Sequence, residues 1–73
     1  MDTIKVVVGN PHLHGVKEEF ICSQVDVSSY SEMEYCAEEC VGAYVDMYSR
    51  FFDQNAEAIN DCWYTIEEVP ANV

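Results

Sequence analysis

The spacing of apolar positions along this chain changes from two to three or four and back again, and those changes mark its elements. Thr3-Ile4-Lys5-Val6-Val7-Val8-Gly9 is rich in β-branched residues, which predicts a strand. Asn10-Pro11-His12-Leu13-His14-Gly15 collects turn formers and predicts a hairpin-like loop. Val16 to about Val27 reads as a second strand. Phe20 and Cys22 share one face of it, and Ile21, Val25 and Val27 the other. That mixed character predicts burial on both faces near the middle, or a bulge.

From Ser28-Ser29-Tyr30-Ser31 onward the pattern becomes helical. Ser31 with Glu34, and Ser29 with Glu32, both fit a capping box. The acids of the first turn complement the positive helix end. The chain then runs to about Gln54 without a proline, and Met33, Cys36, Cys40, Tyr44, Met47 and Phe51 step by three or four. They predict one apolar stripe on one long helix, widened by Ala37, Ala43 and Tyr48. Gly42 is its weak point, costing ~1 kcal/mol relative to alanine, and can admit a second backbone at close range. Gln54-Asn55 marks the helix end, and Ala56 to Asp61 reads as a loop or a short helical turn. Cys62 to Val69 is a third strand that Pro70 terminates. Trp63, Thr65 and Val69 take one face of it, Cys62, Tyr64 and Ile66 the other.

The order strand, strand, helix, strand predicts an α+β fold, a small three-stranded antiparallel or mixed sheet with one long α-helix packed on one face. The 73 residues form a single domain, 1–73. No linker, repeat or low-complexity stretch divides them. An apolar content of 49% with Trp63, five Tyr and three Phe separates the chain from disordered acidic tails, which are poor in such residues.

Charge changes the picture. The chain carries 14 acids against three bases, a net charge of −11. Lys5 and Lys17 lie early, and Arg50 is the one cation beyond them. Self-repulsion on this scale weakens a compact state, so the acidity is expected to serve a purpose, and attraction to a basic surface is the simplest. Glu32, Glu39, Asp46 and Asp53 recur every seven residues. Seven residues are nearly two helical turns, drifting ~20° per heptad, so on one continuous helix they form a row about 30 Å long. Glu34 and Glu38 flank its first half. Glu18-Glu19 and Glu67-Glu68 add acidic pairs on the second and third strands. The ordinary explanation of a charge row is a solvated face, but ordinary surfaces mix both signs, and lysine is missing here.

A row of carboxylates suits a protein that normally grips phosphates, because arginine pairs with both in much the same forked geometry. The expected partner is therefore a basic nucleic-acid-binding protein or ribonucleoprotein complex. The expected partner-binding residues are Glu32, Glu34, Glu38, Glu39, Asp46 and Asp53. Tyr30, Tyr35, Tyr48, Phe52 and Tyr64 are candidate aromatic anchors, each with core packing as its alternative. Nucleic acid itself and anionic membrane surfaces would repel the chain. The first nine residues hold no signal-peptide core and no stretch approaches the ~20 apolar residues of a membrane span. A cytoplasmic location is expected, that of the host cell if the chain is phage-encoded.

In length, acidity and element order the chain resembles small phage-encoded inhibitors of the anti-CRISPR and DNA-mimic anti-restriction type. The resemblance covers composition and no sequence motif. It implies a non-catalytic inhibitor that occupies the cation-lined groove of a guide-RNA effector. The alternative is a structural or adaptor module that self-associates or binds another protein through a strand edge or aromatic patch, which leaves a homodimer open.

Other chemistry finds little support. His12-Leu13-His14 with Cys36 and Cys40 could hold zinc only if the loop reached the helix, and the cysteine spacing is atypical of structural sites. Gly9 to Gly15 lacks the glycine spacing and lysine of a phosphate loop. Cys22 or Cys62 can be paired with His12 or His14 as nucleophile and base, but no signature supports a pairing. No calcium loop is present. The expectation is no enzyme, no metal and no cofactor, with Cys22, Cys36, Cys40 and Cys62 as reduced, core-packing thiols.

Overall fold

The computed structural model describes residues 2–69. In chain order it contains β1 (Asp2–Gly9), β2 (Lys17–Val25), α1 (Tyr30–Met47), α2 (Ser49–Gln54), a 3-10 segment (Ala56–Asp61) and β3 (Trp63–Val69). The fold is α+β, as the alternation of periods predicts. The sheet is antiparallel with β1 in the centre and β2 and β3 as its edges. The proposed stop at Pro70 lies outside the described residues.

One face of the sheet is the core. Ile4, Val6 and Val8 alternate inward along β1 and are fully buried, each worth about 1.5–3 kcal/mol on burial. Ala37, Cys40 and Tyr44 of α1 pack on them, with Phe20, Cys22, Tyr64 and Ile66 closing the flanks. The Tyr44 hydroxyl leaves this core to donate to the Val16 carbonyl at 3.0 Å, which keeps its polar end satisfied.

The bulge in β2 resolves the strand's mixed pattern. Ile4 pairs with Cys22 but Asp2 pairs with Val25, so Ser23 and Gln24 together oppose Thr3. Gln24 takes a left-handed φ of 59°. The extra residue inverts the facing of the strand's last position, and Val25 is buried beside Phe20 and Cys22 rather than opposite them.

The single long helix is corrected to two. α1 ends at Met47, and Tyr48, with φ −115° and ψ 36°, separates it from α2. Neither proline nor glycine causes the break. It is held by aromatic packing: Tyr48 stands edge-on to Tyr44 at 5.0 Å, and Phe52 meets Tyr44 at 6.3 Å. The Tyr48 hydroxyl also donates to the Glu18 carboxylate of β2. The change of axis turns Phe52 into the core in place of Phe51, and leaves Met47 54% exposed. The stripe therefore holds from Met33 to Tyr44 and fails after it. Ala43 is exposed too, and a Cβ on Gly42 would meet nothing within 4 Å, so no backbone approaches there.

The acidic helix face as candidate partner-binding site

Ser29 begins α1. Its Oγ accepts from the Glu32 N–H at 3.3 Å, and the Glu32 carboxylate reaches back to the Asp26 N–H at 2.8 Å. This is a capping box displaced by one turn of chain, since the carboxylate serves Asp26 rather than Ser29 itself. Asp26 in turn accepts from the Ser28 N–H at 3.0 Å and the Ser28 hydroxyl at 2.5 Å, which holds its carboxyl below the ordinary value. Glu32 is thus half-buried and engaged in starting the helix.

With ~100° of rotation per residue, burial of Ala37, Cys40 and Tyr44 turns Tyr35, Glu39, Gly42 and Asp46 outward. Glu39 and Asp46 are both exposed and rise about 10 Å apart along the axis. The Glu39 carboxylate beside Tyr35, first as a hydrogen-bond acceptor and then through its charge, pushes the Tyr35 hydroxyl upward. Glu34 and Glu38 leave the helix on its other flank, toward β3. Tyr64 of β3 is pushed up first by burial and then by the charges there, Glu34 foremost. Asp53 is exposed but belongs to α2, beyond the break.

The expected row is accordingly three carboxylates on α1, spanning about 21 Å from Glu32 to Asp46, with Asp53 on a separate axis. Glu34 and Glu38 form a second line on the opposite side of the exposed ridge. No cation lies on α1. The β2 and β3 acids complete the distribution. Both strands are sheet edges, and in each acidic pair one side chain faces each side of the sheet: Glu18 and Glu68 the helix side, Glu19 and Glu67 the other.

Of the candidate aromatic anchors, Tyr30 and Tyr35 are well exposed, whereas Phe52 is core. Tyr48 and Tyr64 are half-buried, and Tyr48 is bound to Glu18, which pushes its hydroxyl up to about 12.

Three relationships are invisible in the linear pattern. Asn10, read as a turn former, is buried. Its Nδ2 donates to the Ala58 carbonyl at 2.8 Å and to Cys62 Sγ at 3.3 Å, and its Oδ1 accepts from the His12 N–H at 2.8 Å. That fastens the β1–β2 loop to the 3-10 segment. Next to it His12 Nε2 lies 2.8 Å from Asp61 Oδ2, at the rim of an open cavity of about 390 Å³ lined also by Phe51, Gln54 and Glu57. The pair also joins the β1–β2 loop to the 3-10 segment. Finally, Cys22 Sγ and Cys40 Sγ face each other at 3.6 Å as free thiols. A paired Asn or Asp separated by some fifty residues leaves no local signal in a sequence.

Among the described residues no group of three or more His, Cys, Asp and Glu is arranged to hold a metal, and no helix is long and apolar enough to cross a membrane. Comparison with family models, curated proteins and solved structures returns no match.

Proposed function

We propose that this chain is a non-catalytic acidic inhibitor that binds a basic nucleic-acid-binding surface as a competitor of nucleic acid, acting as an anti-CRISPR protein on a CRISPR effector complex. The observation that carries the reading is the outer face of α1. Glu39 and Asp46 are exposed there, Glu34 and Glu38 flank the same helix, and α1 holds no lysine or arginine that would neutralise them. A rigid helix presents carboxylates at fixed spacing, which suits the arginines and lysines of a groove that normally holds a phosphate backbone. Glu32 contributes its charge from the helix start, and Asp53 extends the anionic surface onto α2.

Gel-shift competition against purified guide-RNA effector complexes tests this. The chain should displace target DNA stoichiometrically, and the E39K/D46K variant should lose most of that inhibition while keeping its circular dichroism spectrum. Inhibition should weaken steeply as salt rises. Undiminished inhibition by E39K/D46K at every salt concentration would remove the helix face from the contact, and failure of the parent chain to displace DNA from any such complex would remove the inhibitor reading.

A further inference from the structure

The face of the sheet turned away from α1 is uncovered, and its composition is unlike the rest of the molecule. The pairing registers place its side chains in rows across the three strands. Lys17, Gly9 and Trp63 form one row; Glu19, Val7 and Thr65 the next; Ile21, Lys5 and Glu67 the third; Thr3 and Val69 come last. Ile21 is 65% exposed and Trp63 42% exposed. Trp63 lies over Gly9, so closely that a Cβ there would sit 2.7 Å from indole Cε2. Trp63, Val7 and Ile21 thus make an apolar diagonal across the face, and exposed apolar residues grouped in this way mark an interaction surface.

The charges decide what fits it. Both lysines of the chain point from this face, and so do Glu19 and Glu67, with Lys5 Nζ 3.9 Å from Glu67 Oε1. The face is neutral, and the entire net charge of −11 is carried elsewhere. A basic partner gains nothing here over the α1 face, and an acidic one meets Glu19 and Glu67. For a second copy of this chain, which the acidic surfaces repel, this face offers an apolar surface without net repulsive charge.

We propose that the open sheet face is a homodimer interface, formed by two copies packing sheet against sheet. A two-fold axis along the Trp63–Val7–Ile21 diagonal lays the apolar residues of the copies on one another. With ~4.8 Å between strands and about 6.8 Å between same-face neighbours along a strand, it also brings Glu19 over Lys5 of the second copy, and sets that copy's Glu67 at the rim between Glu19 and Lys17. The face is self-complementary, as an isologous interface must be. Three strands of about seven residues cover roughly 14 by 23 Å, about 320 Å² per copy and well under the ~800 Å² per partner of a standard interface, so the dimer is a weak, readily dissociating one. Packing leaves α1 on the outside of each copy and doubles the acidic face presented to a partner.

Sedimentation equilibrium of the full chain from about 1 to 500 μM tests the proposal. A monomer–dimer equilibrium is expected that tightens with added salt, because screening weakens the repulsion between two anionic bodies. Binding of a basic partner moves the opposite way, so the two readings fail separately. Ile21→Lys, at an exposed edge-strand position, should give a folded monomer by circular dichroism while leaving DNA competition by the α1 face in place. A chain that stays monomeric across this range at both low and high salt overturns the proposal. So does a dimer that Ile21→Lys leaves intact, which would place the contact at a strand edge instead.

Discussion

Trp63 covers Gly9: the two are cross-strand partners between β3 and β1, and the indole occupies the space a side chain at position 9 would need, Cε2 standing 2.7 Å from a Cβ built there. Gly9→Ala therefore displaces the ring, not the strand. Because the ring is a half-exposed side chain on an open face, the fold should survive with a loss of up to ~1 kcal/mol, below the usual cost of overpacking a closed core. The emission of this lone tryptophan should shift to the red and become more accessible to iodide. An unchanged spectrum would show that the indole does not rest on the glycine.

Stability should rise with ionic strength. Among the described residues the ion pairs are Lys5–Glu67 at 3.9 Å and the exposed His12–Asp61 contact, and such surface pairs contribute little. The net charge of −11 is therefore mostly unrelieved repulsion, which salt screens. The thermal midpoint should climb from low salt to about 0.5 M sodium chloride, measured at a concentration low enough to keep the chain monomeric. A falling midpoint would mean that attractive pairs dominate.

Alkali should unfold the protein earlier than its carboxylates alone would allow. Tyr48 is pushed up to about 12 by its bond to Glu18, Tyr35 upward by the Glu39 carboxylate beside it, and Tyr44 and Tyr64 upward chiefly by burial. Each keeps its proton when folded at a pH where the unfolded tyrosine, near 10.0, has lost it. The folded state then binds more protons, so stability falls as pH rises. For Tyr48 this contribution is full below about pH 10 and lost toward about pH 12. Thermal midpoints measured together with phenolate absorbance should show it, and Tyr48→Phe should flatten the slope.

Mild oxidation should join Cys22 to Cys40. Their sulfurs are 3.6 Å apart, so a two-electron oxidant such as diamide can take up the electrons and the two thiol protons as the S–S bond forms. Burial, ahead of the bond with Cys22, pushes the Cys40 thiol up to about 12. The buried Cys40 thiol is therefore a poor nucleophile, and the rate should increase with pH as thiolate forms. Closing an 18-residue loop should stabilise the chain by ~3 kcal/mol. Mass spectrometry should find the loss of two hydrogens in the parent and in Cys36→Ala, but not in Cys40→Ala.

Gly42→Ala should stabilise the chain by ~1 kcal/mol, a rise of roughly 4–8 °C for a domain this small. Nothing lies within 4 Å of the new methyl group, so propensity acts unopposed. A loss of stability would indicate that something packs on this face after all.

The three strands were legible because each is rich in β-branched and apolar residues bounded by turn formers, and each buries one face. The mixed pattern of β2 left burial on both faces or a bulge open; Ile21 is exposed, and the register shift shows the bulge. The break at Tyr48 was not legible, since a run of Met47-Tyr48-Ser49-Arg50-Phe51-Phe52 is compatible with helix throughout. At the break the Tyr48 hydroxyl donates to Glu18, some thirty residues away, a contact that no local pattern announces. The candidate site fared similarly. Spacing alone brings Glu39 and Asp46 onto one exposed face, because both stay within one regular helix. It could not foresee that Glu32 would be taken up at the helix start or that Asp53 would fall on a new axis.

The amino-acid sequence by itself determined the types and order of the main elements and the excess of negative charge, which depend on local period and composition. Only the tertiary structure decided where that charge is absent. Strand order set β2 and β3 on either side of β1, and register then aligned Lys5 and Lys17 with Glu19 and Glu67 on a single neutral face. Such alignment is a property of pairing between distant segments, and no local pattern encodes it.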